Sequence, residues 1–208
     1  MFMIEPKGDG VQLIRDVTVK LIWKVMRMAI ALKTARLELR SIRESDLSAF
    51  TQIVGNPRVA MPAGFQPVHN EFEARFLMRQ TLGQRWIWGV ARQTEDQIIG
   101  TVGLYGRTGH DGALVHGERD IGYMLNEHFW GHGYMPEAVM AVLTYGFDQG
   151  LQAVWGSYFS DNERSARIFE RFGFQFDHEI QHSATDFFAP GKTERFFRLT
   201  PNDFALHQ

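Results

Sequence analysis

The chain has 208 residues and a mass of 23.9 kDa, with 44% hydrophobic and 22% charged side chains. At roughly 150 residues per domain this is one globular domain with an extension, and it excludes a chain disordered throughout. There is no cysteine, which excludes a disulfide framework, a thiolate zinc site and a cysteine nucleophile. The formal charge of −2 gives no electrostatic reason to expect nucleic acid. That charge is unevenly spread: residues 1–33 hold six basic and three acidic side chains, so the remainder carries −5, a balance suited to cationic partners.

Residues 11–33 place Val17, Leu21, Val25, Met28 and Leu32 at spacings of three or four, with Arg15, Lys20, Lys24 and Arg27 interleaved. That is the pattern of an amphipathic helix. Glu5, Asp9 and the charges within the apolar run exclude a signal peptide and a membrane span. Three readings stay open: a helix packed on the domain or a partner, a weakly ordered extension read from an early Met, and a membrane-surface helix.

From Thr34 to Ile42, Leu37 and Leu39 alternate with Arg36, Glu38 and Arg40, predicting a half-buried strand. Ser45 and Asp46 can cap a helix bearing Leu47, Phe50, Ile53 and Val54 that stops at Asn56-Pro57. A second helix is predicted from Asn70 to Leu82 with Phe72, Phe76 and Leu77 on its apolar side. Residues 86–92 and 98–105 read as a hairpin turning at Thr94-Glu95-Asp96, and the glycine-rich residues 107–117 as a loop. Strand 118–125, helix 134–149 ended by Gly150, strand 152–159, helix 162–172 ended by Gly173, and strands near 174–181 and 194–200 follow. The order β-α-α-β-β-β-α-β-α-β-β specifies an α/β or α+β mixed sheet with helices on its faces. Residues 34–208 form the domain, and 1–33 the extension.

The chemistry lies between Asp120 and Phe174. After Gly122-Tyr123-Met124-Leu125, the loop Trp130-Gly131-His132-Gly133-Tyr134-Met135-Pro136 opens a helix. Two glycines permit unusual backbone angles, Pro136 suits a first helical turn, and free amides at a helix start form an anion site. A P-loop needs a lysine that this loop lacks, and a dinucleotide fingerprint needs a glycine where Pro136 stands. The next helix opens on Asn162-Glu163-Arg164-Ser165, with Ser160 and Glu163 placed for a capping box and Ala166, Phe169 and Phe172 at core spacing.

In this order and spacing the tract resembles the GNAT N-acetyltransferase superfamily, and within it the ribosomal-protein alanine N-acetyltransferase (RimJ/RimL-like) subgroup. The resemblance covers residues 34–204. It includes Thr34 to Arg40, Ile99-Gly100-Thr101-Val102-Gly103, the Trp-Gly-x-Gly-Tyr loop, Glu137-Ala138, Asn162 to Phe174, and Leu199 to Phe204. It implies a mostly antiparallel sheet splayed between two parallel strands, 118–125 and 152–159, with helices on both faces.

The resemblance further implies acetyl-CoA as co-substrate, without a metal. Its arm would pair with the main chain of Met124 and Leu125, its pyrophosphate would sit on Trp130, Gly131, His132, Gly133, Tyr134 and Met135, and Asn162 would bond the pantetheine. The reaction implied is direct acetyl transfer to an amine, at a protein N-terminus or on a small molecule such as a polyamine. Without cysteine there is no cysteine-linked intermediate. A non-catalytic acyl-CoA-binding module is the competing class, because Phe169 stands where many members place a tyrosine acid. Ser165 is the expected acid in its stead, and Asp120, then Glu118, the expected bases, two apart on one strand face. The competing reading for Asp120 is an ion pair in the sheet. His128 and His132 read as loop histidines near phosphate, His178 and His182 as solvated histidines, Arg167 and Arg171 as a solvated helix face, and Trp86 and Trp88 as core or acceptor groove. A cytoplasmic monomer or homodimer, with no membrane and no nucleic acid partner, completes the expectation.

Overall fold

The computed structural model describes residues 29–109, 111–186 and 189–207. Most of the amphipathic helix predicted over 11–33 lies outside the described residues. An eight-stranded sheet organises the chain: β1 (Leu32–Lys33), β2 (Leu37–Arg40), β3 (Ile87–Arg92), β4 (Ile98–Thr108), β5 (Leu114–Leu125), β6 (Ala153–Phe159), β7 (Gln175–Gln181) and β8 (Thr193–Leu199). The strand order is β1-β2-β3-β4-β5-β6-β8-β7. Every neighbouring pair is antiparallel except β5 and β6, which are parallel.

The helices cover both faces. On one, α4 (Tyr134–Asp148) and α5 (Glu163–Phe172) pack against Leu37, Leu39, Trp88, Leu104 and Ile121. On the other, α1 (Leu47–Val54), the single turn α2 (Pro57–Ala60) and α3 (Glu71–Thr81) enclose Ile42, Ile87 and Ile98. A last turn, α6 (Pro201–Ala205), inserts Phe204 beside Phe147 and Phe172. Burying one such aromatic side chain stabilises by about 1.5–3 kcal/mol.

Several boundaries differ from those read in the sequence. The strand predicted over 34–42 is two strands, because the Thr34 hydroxyl accepts from the Leu37 amide (2.9 Å) and folds 34–36 into a turn. Leu32 and Lys33, counted with the extension, pair with Leu39 and Glu38, and the Trp88 indole donates to Ile30 (2.7 Å). The sheet therefore includes residues before 34. The loop predicted over 107–117 is mostly strand: β4 and β5 run on to pair Thr108 with Leu114, and only residues between them turn.

Helix α3 buries Ala74 and Met78, leaving Phe72 and Phe76 82% and 65% exposed. Ala74 and Met78 pack in the cluster with Phe50 and Ile53 of α1, so the face the aromatics mark is the outer one. Asp46 stands at the N-cap of α1, but its side chain makes no cap bond to that helix. Its carboxylate takes two hydrogen bonds from the buried Arg40 guanidinium (2.8 Å each) and one from the Arg43 amide. Asn162, not Ser160, caps α5.

Candidate active site

β5 and β6 pair at Glu118–Ala153, Arg119–Val154 and Asp120–Trp155, and then separate. What holds them apart is visible at Gly156, the first residue of β6 beyond its pairing with β5. A Cβ there would lie 2.6 Å from the Phe169 ring and 2.9 Å from Ile121. The Phe169 ring, buried and packed edge-on to Tyr158 and Phe197 and stacked on Phe174, fills the base of the splay. The residue that cannot donate a proton thus serves as a wedge.

Two cavities occupy the opened cleft. One of about 170 Å³ is bounded by Gly122, Tyr123, Ser157, Tyr158, Ser165, Phe169 and Glu194, with Pro62 to Gly64 at its rim. The other, about 110 Å³, shares Tyr123, Ser165, Pro62 and Ala63 with it and runs outward past Leu125, Trp130, Met135, Asn162 and Arg164. Beyond lies a mouth of about 330 Å³ walled by Asn162, Arg164, Arg167 and Lys192.

Hydrogen bonding alternates along an antiparallel pair. The Asn126 amide bonds Ile99 of β4 (2.9 Å), so Met124 also spends its main-chain groups on β4, and its carbonyl crowds Gly100. Tyr123 and Leu125 face the cleft instead. Met124 still lines the outer cavity, but its main-chain groups are spent on β4 while those of Tyr123 are not. The Leu125 carbonyl is already taken by the Trp130 indole (2.9 Å), which leaves its amide turned to the cleft.

The glycine loop has the conformation its composition demands. Gly131 and Gly133 lie at φ +81° and +74°, left-handed angles costly for any side chain, and Gly133 is the N-cap of α4. Pro136 sits in the first turn. The His132 ring donates Nδ1–H to the Trp130 carbonyl (2.9 Å) and stacks on Tyr134. The loop is clamped from the far side of the sheet. Arg36 donates to the His132 carbonyl (2.9 Å), and Glu137 accepts from the Thr34 hydroxyl (2.5 Å), the Arg36 amide (2.9 Å) and Arg36 Nε (2.7 Å). Burial works to raise the Glu137 pKa, but these bonds outweigh it and hold it below the ordinary value. Arg164 stacks on Trp130 (3.9 Å), and Arg58 lies over the same ring while pairing with Glu127.

At the inner end, Asn162 Nδ2 donates to Ser165 Oγ (3.1 Å) and its Oδ1 accepts the Ser165 amide (3.3 Å). The two residues chosen from the sequence are therefore adjacent. The Tyr123 hydroxyl, which sequence reasoning missed, is buried without a hydrogen-bond partner; Ser165 is the polar group facing it. Burial raises its pKa strongly, against a smaller opposing pull from Ser165. Alternation along the strand marks Tyr123 as a core aromatic. Only the end of pairing at Asp120 turns that core face into a cleft wall.

Asp120 and Glu118 line neither cleft cavity. Asp120 is ion-paired with Arg107 (2.7 Å), and Glu118 accepts from the Trp155 indole (2.7 Å) and faces Arg107 and Arg198. Burial raises the Asp120 pKa despite Arg107, yet the guanidinium, itself stacked on Trp155 (3.9 Å), occupies its proton-accepting edge. Both thus belong to an ion-pair network in the sheet, which is the competing reading given for Asp120. His178 is paired with Asp177 and stacked on Phe196, while His182 is held between Asp186 and Glu194, so neither is simply solvated. Arg167 reaches the outer mouth and Arg171 packs on Phe172; the His128 amide bonds Asn126. Trp88 is fully buried, whereas Trp86 lines a separate cavity of about 470 Å³ with Phe50, Leu77, Tyr105, Arg119 and Met124.

Comparison with known proteins places this geometry. Residues 36–175 match the acetyltransferase (GNAT) domain family. The uncharacterized N-acetyltransferase YoaA of Bacillus subtilis (strain 168) is 32% identical over 151 residues, spanning 69% of this chain and 82% of that protein. Among solved structures, the GNAT-family acetyltransferase from Bacillus anthracis superposes with a TM-score of 0.69 at 19% identity, covering 82% of this chain and 98% of that one. RimL, a ribosomal-protein α-N-acetyltransferase in complex with coenzyme A, superposes with a TM-score of 0.65 at 19% identity over the same shares.

Proposed function

The chain belongs to the acetyltransferase (GNAT) domain family, and from that premise we propose that it transfers acetyl from acetyl-CoA directly to a primary amine at a protein N-terminus. The observation that carries the reading is the cleft between β5 and β6, with its two adjoining cavities and the amide-rich start of α4 at its outer end. The pantetheine arm lies along Tyr123 and Leu125 as an added strand, with Asn162 beside it. The amides from Gly131 to Met135, together with Trp130, His132 and Tyr134, hold the pyrophosphate at the helix N-terminus. Arg164, stacked on Trp130, meets the outer phosphate charge.

The Leu125 amide polarises the thioester oxygen, and the tetrahedral intermediate gathers its charge there. The hydroxyls of Ser165 and Tyr123 protonate the departing sulfur. The Tyr123 hydroxyl is buried without a hydrogen-bond partner, so its proton is not committed to another group. A ternary complex is required, because the chain has no cysteine to carry the acetyl group. The cytoplasm is the compartment this reading assigns.

The 470 Å³ cavity supports the peptide acceptor. Its walls are apolar apart from Arg119 and neutral polar groups, and it adjoins the cleft through Met124. Such a site suits the leading side chains of a peptide and offers a polyamine no counter-charge. A small amine is favoured in turn by the modest 170 Å³ of the inner cavity.

The test is thiol release from acetyl-CoA with a panel of free-N-terminus peptides against spermidine. The expectation is a kcat/KM at least about tenfold higher for the best peptide. Preference for spermidine would overturn the acceptor, and no release with any amine would overturn the reaction. Gly133→Asp places a side chain at φ +74° beside Arg36, and should abolish the thermal shift given by acetyl-CoA.

A further inference from the structure

Asp120 and Glu118 line neither cleft cavity, but another carboxylate lines the inner one. Glu194, from β8, walls the inner cavity together with Ser165 and Tyr123. We propose that Glu194 takes the proton of the acceptor amine, and that His182 and Asp186 are the positioning residues behind it. The inference rests on the acetyl-transfer reading above.

Three separate segments converge on this carboxylate. Ser157 of β6 donates its hydroxyl to Glu194 Oε1 (2.5 Å). His182, from the loop after β7, meets Oε2 through Nε2 (2.9 Å), and its Nδ1 faces Asp186 Oδ2 (3.3 Å). The side chains of His182 and Glu194 are each 21% exposed. The Asp-His-carboxylate line thus runs from the surface to the cleft wall and fixes the carboxylate in one orientation. Each carboxylate oxygen retains a lone pair for an ammonium.

Glu194 hydrogen bonding raises the His182 pKa above its ordinary 6.5, against burial, with Asp186 adding to the effect. The other ionisable groups around the pair are Lys192, which bonds Asp161 and lies over Phe159, and the tyrosines Tyr123 and Tyr158 across the cavity. Arg195 alternates to the opposite face of β8 and pairs with Glu179.

The step balances as follows. The ammonium gives one proton to Glu194, and the freed nitrogen lone pair attacks the thioester carbonyl carbon. As the C–N bond forms and the C–S bond breaks, a cleft hydroxyl protonates the sulfur and is reprotonated from the nitrogen. The products are the amide, the free thiol of CoA and one proton that Glu194 returns to water.

The experiment measures thiol release with ethylamine and with the best peptide acceptor for wild type, Glu194→Gln, Glu194→Asp and His182→Asn. Glu194→Gln keeps a carbonyl for Ser157, so it should fold and retain the acetyl-CoA thermal shift. Its kcat/KM at pH 7 should fall about 100-fold, with a residual rate rising about tenfold per pH unit as free amine accumulates. Glu194→Asp should recover part of the loss. His182→Asn should fall about tenfold and move the acid limb of the pH–rate profile upward. A Glu194→Gln variant within about threefold of wild type, with an unchanged pH profile, would overturn the assignment while leaving acetyl transfer intact. A thermal shift lost in step with activity would make Glu194 structural. No thiol release by wild type would overturn acetyl transfer itself, and this role with it.

Discussion

Replacing Glu137 by alanine removes the point at which the glycine loop, α4 and the β1–β2 turn are tied together. The carboxylate accepts from the Thr34 hydroxyl and the Arg36 amide, contacts each worth about 1 kcal/mol net. The Arg36 guanidinium is 48% exposed, so its pairing contributes only about 0.5 kcal/mol. The charge in the first turn of α4 adds about 0.5 kcal/mol through the helix dipole. The expected loss is about 3 kcal/mol at pH 7. With an m-value near 2 kcal/mol/M, the urea midpoint should fall by about 1.5 M.

The charge-dependent share of that loss has a defined pH window. The folded pKa of Glu137 is depressed below its ordinary 4.5, so its stabilisation is present above the unfolded value and disappears as pH falls through the folded one. Urea melts at pH 7 and at successive steps below pH 4.5 should show the wild-type and variant midpoints converging. Acetyl-CoA affinity measured by calorimetry should drop about tenfold, because Arg36 no longer steadies the His132 carbonyl. A midpoint shift under about 0.3 M, or a gap that widens on acidification, would refute the argument.

Other consequences can be checked in parallel. Asp46→Ala removes the buried partner of the Arg40 guanidinium, leaving it Asp96 and the Ser41 carbonyl, and should cost about 3 kcal/mol in thermal or urea unfolding without altering the cleft directly. Gly156→Ala forces a methyl against Phe169 and Ile121 at the base of the splay, and should cost about 1–3 kcal/mol while weakening acetyl-CoA binding in a thermal-shift titration. Tyr123→Phe removes a buried hydroxyl that has no partner, so stability should hold or rise while kcat falls about 10–100-fold with little change in the KM for acetyl-CoA. Trp86→Ala should raise the KM for the peptide acceptor and leave that for acetyl-CoA unchanged.

The described residues build one sheet with a helical layer on each face. Alternation, glycine stops and helix caps placed most elements within a few residues, because those signals are local: Gly173 ends α5 at φ +75°, and Asn70 caps α3 through the Glu73 amide. The glycine loop and the Asn162–Ser165 pair were legible for the same reason. Local chemistry also misled where distant groups compete. Asp46 has the residue type of a helix cap, but Arg40, reaching it from β2, takes its carboxylate. Phe72 and Phe76 are helically spaced, yet α1 approaches the Ala74 and Met78 side of α3.

What only the tertiary structure decided is the chemistry of the cleft's carboxylates and hydroxyls. Asp120 and Glu118 share a strand face as their spacing requires, but Arg107, Trp155 and Arg198 arrive from three other strands and occupy them. Glu194, 29 positions after Ser165 in the chain, reaches the same cavity because β8 pairs Glu194 with Phe159. A sequence specifies side-chain periodicity through φ and ψ preferences; which groups meet across the sheet depends on strand order and on where pairing stops. The absence of cysteine and the glycine loop are properties of the sequence alone, whereas the splay, the wedge of Phe169 and the meeting of Tyr123, Ser165 and Glu194 exist only in the fold.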